Sequence, residues 1–158
     1  MSRDGTLLNY PIVHFASHGF FNDNLIPQAA LVFSEVSGLL GNISTEDGYL
    51  SIEEIALLDL NAKMVMLSAC ETGWGQLRRG DGMSGLVRAF MLAGAQSVGV
   101  SLWKISDEAT VEFMWGVYQK VLREGKTFRE AYSETKAEFR ISERWSHPIY
   151  WAGFMLYE

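Results

Sequence analysis

"MVMLSACETGWG", residues 64–75, is the stretch that decides the fold. It opens on four apolar residues and breaks into Glu, Thr and Gly. An apolar run this short, with no polar alternation, fits a strand covered on both faces, as in a parallel sheet packed between helices. The only cysteine of the chain, Cys70, falls where that strand would end. Two readings of it stand: a small buried hydrophobe, the usual fate of a free cysteine, or a nucleophile.

Working outward, strands and helices alternate. "PIVHFA" (11–16) and "AALVFS" (29–34) read as strands, as do "SVGVSLW" (97–103) and "YWAGFMLY" (150–157). "SIEEIALLDL" (51–60) begins with Ser51 and carries Glu54 three residues later, a capping-box signature. "GMSGLVRAFMLAG" (82–94) spaces Leu86, Phe90 and Ala93 as a helix does and stops at Gly94. Residues 107–125 read as a long helix with acids first, bases last and Gly125 beyond. Within it Phe113, Met114, Val117, Tyr118 and Val121 recur at core spacing. A second capping box, Thr127 with Glu130, opens the next helix. The expected fold is therefore α/β, a mostly parallel sheet flanked by helices.

In such sheets ligands gather beyond the carboxyl ends of the strands. "SHG" (17–19) follows one strand and "CETG" (70–73) another. If those strands are parallel neighbours, His18 and Cys70 emerge at one edge. A nearby imidazole stabilises a thiolate, and backbone N–H groups beside Gly19 and Cys70 offer oxyanion donors. His14, mid-strand, reads as a core or face residue, and His147, before a proline, as structural. On an extended chain His14 and His18 stand about 13 Å apart, too far to share one metal ion.

Length favours one domain over residues 1–158. Net charge is −6, with 13 Lys and Arg against 19 Asp and Glu, which argues against a nucleic-acid partner. One cysteine forms no internal disulfide. Without an apolar leader or a run long enough to span a bilayer, the chain reads as cytoplasmic, with no membrane partner. "GDGMSG" (80–85) matches G-x-G-x-x-G, but the preceding strand ends about ten residues earlier, and a pyrophosphate loop must join strand to helix directly. "GMSGL" (82–86) has Leu86 where a serine-hydrolase elbow needs Gly. No cofactor is implied.

Taken together, "VHFASHG", "LSACETGWGQLRRGDGMSGLVRAFMLAGAQSVGVSLW" and "HPIYWAGFMLY" resemble the CHAT domain family from about residue 10 to 157. These are caspase-like domains found with tetratricopeptide (TPR) repeats in bacteria. The resemblance implies a three-layer caspase-like sandwich and a cysteine endopeptidase. His18 would be the catalytic histidine, Cys70 the nucleophile, and the amides of Gly19 and Cys70 the oxyanion hole. It implies that residues 101–103 border the substrate cleft, where a peptide would pair along the strand edge. Ser101 and Trp103 are thus substrate-binding candidates, although Trp103 reads equally well as a packed core residue. Asp107 is a further candidate, or simply a first-turn acid. Glu71, Asp81 and Glu108 stand with it as acids able to meet a basic side chain.

Two departures from the relatives bear on this. Several carry an acid two residues before the cysteine, where this chain has Ser68, so their P1 preference does not transfer. They also have two further strands before the histidine strand, so this sheet would begin in its middle. An open central strand invites a partner. The alternative reading is thus a catalytically silent interaction module that docks on a TPR-type partner, a missing half-domain or a second copy.

Overall fold

The computed structural model describes residues 5–22, 26–33, 48–68 and 82–158, without the side chains of 18–29 and 82–84. A four-stranded sheet forms the middle layer: β1 (Ile12–Phe15), β5 (Met64–Leu67), β6 (Val98–Ser101) and β7 (Phe154–Tyr157), in that spatial order. The first three strands run parallel and β7 runs antiparallel on β6. The apolar run "MVML" is β5, and all four of its residues are buried.

The period of two along each strand divides the core. Val65, Leu67, Val98, Val100 and Phe15 face one side. There α1 (Ile52–Ala56) and α2 (Gly82–Leu92) bring Ile55, Leu86 and Phe90. Met64, Met66 and Phe154 face the other side, under α3 (Asp107–Arg123) and α4 (Phe128–Ile141). Phe113 of α3 stacks on Phe154 at 4.1 Å between ring centroids and meets Tyr132 and Phe139 edge-on. Burying such a ring contributes about 1.5–3 kcal/mol. The architecture is a mixed α/β sandwich with a mostly parallel central sheet.

Gly99 sits mid-strand in β6 on the α3–α4 side. A Cβ there would lie 2.3 Å from the Tyr132 hydroxyl and 2.6 Å from the Met66 sulfur. Glycine lets Tyr132 reach across β6 and donate to Met66 Sδ at 3.1 Å.

Both capping boxes form. The Ser51 hydroxyl accepts from the Glu54 N–H and Glu54 accepts from the Ser51 N–H; Thr127 and Glu130 do the same. Ser106 caps α3, accepting from the Ala109 N–H at 3.3 Å.

A second, separate sheet departs from the sequence reading. The run at 29–34 joins no parallel sheet. It belongs to β3 (Ile26–Val32), which pairs antiparallel with β2 (His18–Asn22) and β4 (Tyr49–Ser51) in a separate three-stranded sheet. Only Ala16 and Ser17 separate β1 from β2, so no helix can carry the chain back for a parallel crossover. Leu31 and Leu50 of this sheet complete the core over α1 and α2.

Candidate functional site

β1 and β5 are parallel neighbours, with Phe15 opposite Leu67 as the last paired residues. The Ser68 N–H donates to the Phe15 carbonyl at 3.1 Å and prolongs the ladder by one bond. His18 follows Phe15 by three residues, and Cys70 follows Leu67 by three. Neighbouring strands lie about 4.8 Å apart, so the two strands end side by side at Phe15 and Leu67. The backbone of His18 opens β2 opposite Val32, and Gly19 lies opposite Leu31. Cys70, Glu71 and Asp81 lie outside the described residues, as does the His18 side chain.

The strand ends carry a polar cluster missed in the sequence. His14 Nε2 lies 2.9 Å from Ser68 Oγ, and His14 Nδ1 lies 3.0 Å from the Tyr118 hydroxyl of α3. Part of the ring meets solvent. Burial of the remainder nevertheless lowers the His14 pKa, and burial pushes the Tyr118 phenol up to about 12. At neutral pH, then, the pair is imidazole and phenol, both uncharged. Sequence alone offered no signal of it: the register that sets His14 opposite Met66, two residues before Ser68, and the approach of Tyr118 both belong to the fold.

The remaining substrate candidates fall differently. Ser101 is buried and paired with Phe154, and the Leu102 N–H donates to the Gly153 carbonyl. The strand edge expected to receive a peptide at Ser101 is therefore occupied by β7, because "FMLY" folds back antiparallel on β6. Trp103 donates its indole N–H to the Ile149 carbonyl at 2.8 Å, with its ring against Gly153. It braces the approach to β7 and is half-buried. Asp107 is exposed at the start of α3, in a shallow groove with Glu108, Val111, Glu112 and Trp115. Glu108 is ion-paired with Arg144, and Glu112 accepts from the Trp145 indole at 2.7 Å. The two glutamates of that groove are thus engaged by basic or indole side chains. His147 accepts from the Ile149 N–H and caps a short 3₁₀ turn, a structural role.

Two surfaces lack a covering element among the described residues. β1 has a partner on one side only. The Pro11 and Phe15 carbonyls point to β5, so the alternate peptides at Ile12 and His14 face outward. On α3, Val111, Trp115 and Leu122 are exposed at helical spacing, on the stripe that also holds Tyr118.

These elements define a protein of the caspase-like α/β class. Residues 6–158 match the CHAT domain family, and the chain belongs to it. Tetratricopeptide repeat protein 28 of Homo sapiens is 36% identical over 107 residues, covering 68% of this chain and 4% of that protein. Its counterpart in Mus musculus is 35% identical over the same length. The chain thus matches only a small part of these relatives, which are named for TPR repeats. Among the described residues no helix is long and apolar enough to cross a membrane.

Proposed function

We propose that this chain is a cysteine endopeptidase domain acting on protein substrates. The supporting observation is the β1–β5 register, which ends both strands together three residues before His18 and Cys70. The Cys70 thiolate attacks the scissile carbonyl carbon. The Gly19 and Cys70 N–H groups stabilise the oxyanion. His18 protonates the departing amine, then takes a proton from the water that hydrolyses the thioester. A substrate strand would run past the end of the β6–β7 ladder, from Trp103 onward, with Asp107 at the rim for a basic side chain.

The single cysteine makes the test direct. Iodoacetamide alkylation of the native protein across pH 5 to 10 gives the thiolate midpoint. An activated pair puts that midpoint well below about 8.5, and His18→Ala returns it there. Cys70→Ala abolishes peptide cleavage with the fold intact; residual cleavage in that variant would refute the mechanism.

A second reading draws on the open edge of β1 and the apolar stripe of α3. It makes the chain an interaction module docking on a helical-repeat partner of the kind the relatives' names describe. Light scattering after size exclusion separates the two: a stable monomer weighs against dependence on this surface.

A further inference from the structure

His14 ties three elements together at the carboxyl end of the sheet. It sits on β1, its Nε2 meets Ser68 at the end of β5, and its Nδ1 meets Tyr118 on α3. A neutral imidazole carries one N–H and one bare nitrogen, and each neighbour is a hydroxyl that can donate or accept, so either tautomer satisfies both contacts. The Ser68 hydroxyl also lies 3.4 Å from the Phe15 carbonyl, which the Ser68 N–H reaches at 3.1 Å. Tyr118, His14, Ser68 and Phe15 are thus joined in one hydrogen-bonded chain.

We propose that His14 is a positioning residue: through this chain it locks the carboxyl ends of β1 and β5 to α3 and so sets where Cys70 stands relative to His18. The proposal rests on the Cys70–His18 reading of the function. Cys70 lies only two residues beyond Ser68, so a shift in the Ser68 backbone carries directly into the thiol. A displacement of about 1 Å between reacting groups can cost a hundredfold in rate. Burial keeps the chain intact at neutral pH, since the imidazole stays neutral and the phenol keeps its proton. Lysine or arginine at position 14 would supply donors only and leave the Tyr118 hydroxyl facing a cation. Phenylalanine would fill the space and break both bonds.

Three measurements on the full chain test this. Nitrogen-15 NMR of the imidazole reads the tautomer, amide exchange at Ser68 reads the hold, and alkylation against pH reads Cys70. The expected ring at neutral pH is a single neutral tautomer, one nitrogen protonated and the other bare. His14→Phe speeds Ser68 exchange about tenfold or more. It also moves the alkylation midpoint toward that of His18→Ala. His14→Gln keeps one donor and one acceptor and stays close to wild type, a rescue that a space-filling role would not produce. Should His14→Phe fail to fold, Tyr118→Phe removes a single oxygen and gives the same changes at smaller size. A ring exchanging between both tautomers at neutral pH, or His14→Phe matching wild type in both exchange and alkylation, overturns the proposal. If His18→Ala leaves the wild-type midpoint unmoved, the Cys70–His18 reading falls separately. The lock is then judged by the tautomer and Ser68 exchange, and fails if either fails.

Discussion

Substituting Gly99 by alanine tests how β6 is held under α4. The added Cβ would stand 2.3 Å from the Tyr132 hydroxyl, 2.6 Å from Met66 Sδ and 2.7 Å from Met64 Cε. Each gap is roughly 1 Å short of ordinary contact. The two methionine ends can swing aside, but Tyr132 is buried between Phe113 and the sheet and has little room. Overpacking of this kind costs about 2–3 kcal/mol. For a domain of this length that lowers Tm by about 4–12 °C. Tyr132→Phe removes the nearest obstacle and forfeits only the bond to Met66, about 0.5–1 kcal/mol. The double variant should therefore be more stable than the sum of the single losses predicts, by about 1 kcal/mol or more. Thermal unfolding by circular dichroism of the four proteins closes the cycle. Strict additivity would show that Tyr132 is not the obstacle. A Gly99→Ala protein as stable as wild type would refute the packing of this face altogether.

Gly94→Ala is expected to cost about 3 kcal/mol or more. Its φ is +109°, and the new Cβ would lie 2.1 Å from the Leu60 carbonyl oxygen; urea unfolding measures the loss. The Thr135 hydroxyl is buried without a hydrogen-bond partner among the described residues, so Thr135→Val should be neutral or raise Tm by a few degrees, about 1 kcal/mol. His14 has its folded pKa held below the unfolded value of 6.5. Its contribution is present above 6.5 and is lost as pH falls through the folded pKa, because the unfolded chain takes up the proton first. Stability plotted from pH 7 downward should fall less steeply in His14→Gln than in wild type; identical slopes would contradict the shift.

Much of the fold was legible because its signals are local. Ser51 with Glu54 and Thr127 with Glu130 mark helix starts within four residues, and both boxes form as read. The continuous apolar runs of β5 and β6 announced strands buried on both faces. The separate sheet of β2, β3 and β4 was not legible, since β3 looks like any short apolar strand and only its partners assign it to a sheet. Ser101 was misread as a free edge for the same reason: β7, more than fifty residues later, covers it. The candidate site divides likewise. His18 and Cys70 stand out through their glycine-flanked positions after strands. His14 does not, because its partner Tyr118 is 104 residues away and only the fold brings them together.

The central strand β6 gains its second neighbour only from Phe154–Tyr157. A ribosome adding roughly 5–20 residues per second delivers that segment several seconds after β6 has been made. Through that interval Val98–Ser101, buried in the finished sheet, has one bare edge of unpaired peptide groups flanked by valines. Such an edge is the kind of surface that holding chaperones bind and that neighbouring nascent chains can join. Closure of the sheet during synthesis therefore waits on Phe154–Tyr157, far in sequence from the histidine and cysteine.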